Sequence, residues 1–311
     1  MGGNSRTFYP NVLNHCYQRS ADGGVLFYNQ LDYLVLFTIV CKVARRYRVQ
    51  ILAMCPMPDH IHYSITAVSK RDLTLFMRDC SSLYAKEFNR VCHRTGPVFE
   101  APFGSAPKYT DKKVRTNLIY VWNNPPERKL VTKAEDYRWN FLAYASSDHP
   151  FSEKLVIRKS RWPVQKAMKE VKAAFMAGRH LPYAMLKRLY APLTNDEKQQ
   201  ITDFIISTYN VIDHEAAMSY FGNYETTLTA VHSTTGNEYD IKEEIYTSKS
   251  DKHYASMTNI VMRELAPPDV HDILSLPQEK KYEVFQLLRR YSYAMSDQIA
   301  KFLHLPLNRN D

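Results

Sequence analysis

The sequence predicts an α+β fold, in which helices pack on a small antiparallel sheet, followed by a mainly α-helical C-terminal region. In the first half, short segments with the period-two pattern of strands alternate with helical segments in the order βαββαβα. Beyond about residue 150 only helical patterns continue. With 311 residues, 45% of them hydrophobic, the chain can form two domains, and we place these at 1–149 and 150–311.

The first elements are a strand, a helix and a pair of strands. Residues 12–18 have a strand pattern, and apolar residues recur at helical spacing over 29–47. A second strand at 49–54 is predicted to end before Pro56 and Pro58, because proline interrupts a hydrogen-bonded ladder. The strand that follows these prolines is expected to pair antiparallel with it.

The next elements are a helix, a strand region and a further helix. Residues 71–93 are amphipathic, and a strand region is predicted at 98–108. Asp111 can cap a helix that runs to Asn124, where Pro125-Pro126 is expected to terminate it.

The second half is mainly helical. Helices are predicted at 164–177 and after Leu193, where a capping box begins at Thr194, and the weakly patterned stretch 223–252 is predicted to be a loop. Near 277–311 two short amphipathic segments resemble the first helices of a helix-turn-helix unit. Two ordinary core helices would have the same pattern.

The net charge of +9 is concentrated in one half of the chain. Residues 1–149 contain 20 basic and 12 acidic residues, a net charge of +8, whereas residues 150–311 contain 21 and 20, a net charge of +1. This asymmetry is typical of a polyanion-binding domain joined to a near-neutral region.

The cysteines and apolar segments predict a cytoplasmic protein without membrane contact. Five cysteines at irregular spacing, without CxxC, indicate reduced and mostly buried thiols. The N-terminal residues lack the apolar core of a signal peptide, and the most apolar stretch, 34–40, is too short to cross a bilayer.

The motif His60-Ile61-His62 is the first candidate for chemistry. Side chains two apart on a strand share a face, so both imidazoles can converge on one cation while Ile61 packs behind them. The alternative is a pair of hydrogen-bonded polar residues on a sheet face.

Tyr120 and Asn124 provide a second pair, one helical turn apart. If the Asn124 side-chain oxygen is a third metal ligand, the Tyr120 phenol lies close to the same ion. Two imidazoles and an amide oxygen suit Mg²⁺ or Mn²⁺ with open coordination sites. Such a cation can hold a phosphate in line with the phenolate.

Five segments resemble, in the same order, the single-tyrosine HUH transposases, and among them the REP-associated tyrosine transposases of the IS200-like family. The resemblance extends over roughly residues 8–147. The segments are His15–Arg19, Met57–His62, Tyr84–Asn89 followed by Gly96–Phe99, Tyr120–Pro125 and Glu135–Asn140.

The resemblance implies a bacterial enzyme with a ferredoxin-like sheet, the HUH nuclease fold, that cleaves and rejoins single-stranded DNA at palindromic hairpins. By the same resemblance His60 and His62 bind a divalent metal ion, Asn124 completes the metal site, and Tyr120 forms a 5′-phosphotyrosine link. Gly104-Ser105-Ala106 and Pro126 depart from the family pattern.

Basic side chains near these motifs are candidates for phosphate contacts, although a solvated helix face would contain the same residues. Tyr120 is preferred as nucleophile over Tyr84, Tyr109 and Tyr137, because Asn124 and a proline follow it. The candidate DNA contacts are Arg19, Lys108, Lys112, Lys113 and Arg115.

Two other functions remain open. A non-catalytic DNA-binding regulator can retain the same fold, and replication initiators or relaxases share the HUH chemistry. The order of the motifs, with the histidine pair first and one tyrosine after it, favours a transposase. The sequence does not determine the DNA target or whether the chain acts as a monomer or a homodimer.

Overall fold

A computed structural model describes residues 7–233 and 250–306 of the chain. Its first half contains a four-stranded antiparallel sheet in the order β2-β3-β1-β4. The element order βαββαβα and the α+β class predicted from the sequence are confirmed, and the strand order is that of a ferredoxin-like sheet. The elements are β1 (Leu13–Arg19), α1 (Gln30–Ala44), β2 (Val49–Met57), β3 (His60–Ala67), α2 (Lys70–Val91), β4 (Gly104–Lys108) and α3 (Asp111–Glu127).

The ends of β2 and α3 that were predicted from prolines are wrong. Pro56 lies inside β2, which is at the edge of the sheet, where a missing N–H donor is tolerated. α3 continues through Pro125 and Pro126. A proline at 126 cannot donate to the Trp122 carbonyl one turn earlier, and the Asn140 side-chain amide donates to that oxygen instead, at 3.1 Å.

The mainly helical second half is also confirmed. The capping box at Thr194 forms as predicted, with Thr194 Oγ1 accepting from the Glu197 N–H at 3.3 Å and Glu197 Oε2 accepting from the Thr194 N–H at 2.9 Å. The helices are α4 (Trp162–Met176), α5 (Tyr183–Tyr190), α6 (Asn195–Tyr209), α7 (His214–Ser219), α8 (Tyr224–Ser233), α9 (His253–Glu264), α10 (Gln278–Tyr291) and α11 (Ser296–Leu303).

The stretch 223–252 differs from the predicted loop. Its first part is α8, which begins where Asn223 Oδ1 accepts from the Thr226 N–H at 2.9 Å, and residues 234–249 lie outside the described part of the chain. Residues 292–295 separate α10 from α11. Residues 307–311 are not described, so the helix-turn-helix near 277–311 stays a prediction.

The C-terminal segment, residues 150–233 and 250–306, packs directly on the sheet and on α1. Ile212 forms a parallel bridge with Ile51 on the edge strand β2, and the Asp213 N–H donates to the Ile51 carbonyl at 2.8 Å. α5 and α6 pack against α1. From Asp32 to Val43 every α1 residue except Lys42 is buried, which explains why this helix is apolar on nearly all sides. The predicted boundary at residue 149 stays a prediction.

All five cysteines are buried and none forms a disulfide. Within the described ranges 7–233 and 250–306, no helix combines the length and the apolar character needed to cross a bilayer.

A buried ionic cluster joins α1 to the C-terminal segment. His271 Nε2 lies 2.8 Å from Asp32 Oδ1, its Nδ1 contacts Asp269, and Lys187 pairs with Asp269. Tyr183 donates to Asp32 at 2.6 Å. Burial alone would lower the pKa of His271, but the two carboxylates outweigh it and raise this pKa to about 9.

We expect this cluster to make the free energy of unfolding fall as the pH becomes alkaline. The folded pKa of about 9 exceeds the ordinary 6.5, so the stabilisation is complete below about pH 6.5 and is lost as the pH rises through 9. Urea unfolding of the wild type should lose roughly 3 kcal/mol between these limits. His271→Gln should lack this loss, and His253→Gln should retain it. If the free energy of unfolding changes with pH equally in the wild type and in His271→Gln, the raised pKa assigned to His271 is wrong.

Gly104 allows β4 to approach the Tyr17 ring. A Cβ atom at Gly104 would lie 1.9 Å from this ring, far inside contact distance. We predict that Gly104→Ala lowers the free energy of unfolding by about 1–3 kcal/mol, because overpacking forces the ring or the strand to move. Ser105→Ala, on the opposite face of β4, is the control, because it adds no atoms and loses only a long hydrogen bond of 3.4 Å to Asn14. Thermal unfolding that is unchanged in Gly104→Ala would contradict this packing.

Candidate active site

The candidate site lies on one face of the two central strands, under α3. The antiparallel register pairs Tyr17 with His62 and His15 with Ser64. Paired residues on antiparallel strands point to the same face, so the histidines of both strands share it. The Asn117 side-chain oxygen accepts from the Ser64 hydroxyl at 2.8 Å and joins α3 to this face.

The two histidines of β3 lie side by side, with ring centroids 4.8 Å apart. His60 Nδ1 is 2.6 Å from Asp59 Oδ1, and Lys301 Nζ is 3.1 Å from Asp59 Oδ2. Burial acts to raise the pKa of the Asp59 carboxyl, but the positive charges and hydrogen bonds of His60 and Lys301 hold it well below its ordinary value. The carboxylate can therefore orient the His60 ring.

A second carboxyl group lies near this pair. Asp251, which precedes α9, is 6% exposed. Burial and the neighbouring Asp59 charge raise its pKa to about 6, against the opposing charges of Arg128, His60 and Lys301. Sequence reasoning did not identify Asp251, because nothing in the sequence places residue 251 beside residue 59.

Tyr120 and Asn124, both on α3, lie against His62. Asn124 Nδ2 lies 3.2 Å from His62 Nε2, and the centroid of the Tyr120 ring is 5.3 Å from that of His62. The structure thus brings His60, His62, Tyr120 and Asn124 together. Their roles remain proposals.

His15 is a neighbour that sequence reasoning did not single out. Its Nε2 lies 3.0 Å from His62 Nδ1, and its ring centroid is 5.5 Å from that of Tyr120. It is fully buried. The available signal was the alternation of His15, Tyr17 and Arg19 along one face of the first strand, which pairs with the histidine strand.

The donor set fits a cation bound by imidazole and amide groups. Asn124 Oδ1 is buried and has no hydrogen-bond partner among residues 7–233 and 250–306. The Asn124 amide lies 3.2 Å from His62 Nε2, and turning this amide by 180° would bring Oδ1 towards His62, where both could bind one cation. In the same ranges, no group of three or more His, Cys, Asp or Glu side chains has metal-binding geometry.

The site is closed to solvent. Exposed fractions are 5% for His60, 0% for His62, 1% for Tyr120 and 3% for Asn124. A reactant can therefore reach the Tyr120 phenol only after the side chains that cover it move.

The competing tyrosines have other contacts. The Tyr84 hydroxyl donates to the Leu26 carbonyl at 2.9 Å, and the Tyr137 hydroxyl donates to the Pro56 carbonyl at 3.0 Å. Tyr109 is half exposed and packs edge-on against Tyr9. Of the four tyrosines considered from the sequence, Tyr120 has a ring contact with His62.

The predicted DNA contacts lie at two places around this face. Arg19 is exposed at one end of β1, opposite His60, and Lys108 ends β4 at the other end of β1, opposite Leu13. The other three are exposed on the first turns of α3: Lys112, Lys113 and Arg115. Lys113 precedes Tyr120 by seven residues, almost two helical turns, so the two lie on the same side of α3. Arg115 lies on a different side of this helix.

Comparisons with known proteins point to one family. Residues 24–101 match the family model described as "Transposase IS200 like". This segment contains His60 and His62 and ends before Tyr120 and Asn124. No curated protein sequence matches the chain.

One solved structure, of "the REP associates tyrosine transposase bound to a REP hairpin", matches at 17% identity with a TM-score of 0.39. The match covers 45% of this chain and 81% of that one. The family match alone bears out the resemblance: residues 24–101 are similar to the IS200-like transposases.

Proposed function

We propose that the chain is a metal-dependent endonuclease and strand transferase for single-stranded DNA that acts at or near palindromic hairpins. The observation that carries this proposal is the convergence of Tyr120 and Asn124 of α3 on His62, beside His60. A phenol has an ordinary pKa near 10 and is a weak nucleophile near neutral pH without help. The site groups this phenol with metal-ligating side chains.

His60, His62 and Asn124 would hold Mg²⁺ or Mn²⁺, which, when bound, neutralises charge on the non-bridging phosphate oxygens. Tyr120 Oη attacks the phosphorus atom and forms a 5′-phosphotyrosine bond. The bond between phosphorus and the 3′ oxygen breaks, and the 3′ end leaves as a hydroxyl. α3 fixes the position of Tyr120 relative to Asn124 throughout.

The second step reverses the first with a different DNA end. A 3′-hydroxyl attacks the phosphotyrosine, a new phosphodiester forms, and Tyr120 recovers its proton. One phosphoester bond is exchanged for another in each step, so no nucleotide cofactor is needed. Because Tyr120 is buried, the side chains that cover it must move before the first step.

The burial of Tyr120 also supports the second candidate, a DNA-binding regulator without turnover. In that case the polar cluster only stabilises the fold, and basic residues around it bind DNA. A covalent adduct with DNA distinguishes the two functions.

We predict that the wild type forms a denaturation-resistant adduct with hairpin-bearing single-stranded DNA in Mn²⁺ or Mg²⁺. Tyr120→Phe should abolish the adduct, because it removes the attacking oxygen. His60→Ala should reduce it strongly, about 100-fold or more, because it removes a metal ligand. The measurement is the yield of cross-linked protein in denaturing electrophoresis.

Tyr109→Phe is the matched control, since its half-exposed hydroxyl lies outside the site, and it should form as much adduct as the wild type. If the wild type binds hairpin DNA but forms no adduct with any palindromic single strand, the regulator is the correct assignment.

We further predict unequal effects of two basic residues on DNA affinity. Lys113→Ala should weaken binding and reduce the slope of log affinity against log salt by about 0.7, the value for one phosphate contact with a single strand. Arg115→Ala, which removes a charge on a different side of α3, should change both quantities less. Fluorescence anisotropy over a salt series measures them. Equal effects would mean that these residues act only through the overall charge.

A further inference from the structure

The C-terminal helix α11 touches the candidate site next to His60. We propose that Lys301 of α11 is a positioning residue for metal binding, acting through Asp59, and that the C-terminal segment links the two sides of the site. This inference rests on the proposed metal-dependent function. It concerns a part of the chain more than 190 residues beyond the segment that matches the transposase family.

Lys301 reaches His60 through one carboxylate. Its Nζ is 3.1 Å from Asp59 Oδ2, and the other oxygen of Asp59 is 2.6 Å from His60 Nδ1. When Nδ1 donates to the carboxylate, Nε2 is the nitrogen that can bind a metal ion. A carboxylate that holds a metal-ligating imidazole in this way fixes both its tautomer and its ring orientation. Lys301 in turn fixes the carboxylate.

α11 is firmly held in place. Ile299, Phe302 and Leu303 have no exposed surface, and the Phe302 carbonyl accepts from the Tyr28 hydroxyl at 2.7 Å. At the end of the helix, the His304 ring lies so close to Gly24 that a Cβ there would be 2.6 Å from it. Lys301 keeps 31% of its side chain exposed. The helix is thus fixed by its apolar face while its lysine points to Asp59.

The same segment contacts the other side of the site. Gln298, one turn before Lys301, donates to the Ser250 carbonyl at 2.7 Å. The next residue, Asp251, donates its N–H to the Arg128 carbonyl at 3.0 Å, and the Arg128 N–H donates to the Asn124 carbonyl at 3.0 Å. Arg128 is the C-cap of α3. A continuous series of contacts therefore joins His60 on β3 to Asn124 on α3.

The test is Mn²⁺ binding to the full chain, measured by the EPR signal of free Mn²⁺. We expect Lys301→Met to raise the Mn²⁺ dissociation constant about 10-fold, as loss of an outer partner does at other metal sites, and Lys301→Arg to remain near wild type. Asp59→Asn should cause a similar loss. The double variant Asp59→Asn/Lys301→Met should be no weaker than Asp59→Asn, because both changes break one series of contacts.

Lys280→Met is the control, since Lys280 is an exposed lysine on α10 that pairs with Glu283, and it should bind Mn²⁺ as the wild type does. Wild-type Mn²⁺ affinity in folded Lys301→Met would overturn the inference, and Lys301→Gln provides the same test if the methionine variant does not fold. A wild type that binds no Mn²⁺ and forms no DNA adduct would instead overturn the proposed function and the inference with it.

Discussion

The packing of α3 across the polar face of β1 and β3 is the constraint on which the candidate site depends. His62 lies at its centre, with Nδ1 facing His15 at 3.0 Å and Nε2 facing Asn124 at 3.2 Å. Burying a polar atom without a hydrogen-bond partner costs free energy, so few other positions of α3 would be stable. The hydrogen bond between Ser64 and Asn117 restrains the helix about two turns nearer its N-terminus. The groups that can perform chemistry are therefore also groups that position the helix.

This double role explains why the site is closed. Tyr120 is buried together with His62 and Asn124, so under the proposed function a phosphate must displace some of the side chains that cover the site. Under the proposed function, the site exchanges these protein contacts for contacts with metal and DNA when it opens. The alternative function, a regulator that binds DNA without cleaving it, corresponds to a site that stays closed. The two functions thus differ in whether the site can open to DNA.

The C-terminal segment contacts the first half of the chain in three places. It covers the edge strand β2 at Ile51, it buries α1 beneath α5 and α6, and it places Lys301 against Asp59. The Asp32–His271 pair shows the energetic consequence, because a buried carboxylate on α1 has its ionic partner 239 residues away. The buried charge of Asp32, which lies in the segment that matches the transposase family, is therefore paired outside that segment.

The sequence alone determined the order of the elements, because hydrophobic periodicity and capping residues are local. It also indicated the shared face of His60 and His62 and the one-turn spacing of Tyr120 and Asn124, which follow from strand and helix geometry. Strand register and helix packing, which are long-range, brought His15 beside His62 and Lys301 beside Asp59. The tertiary structure also corrected two local rules, since an edge position accommodates Pro56 and the Asn140 side chain satisfies the carbonyl that Pro126 leaves without a donor. Such contacts join residues far apart in sequence, and only the folded chain determines them.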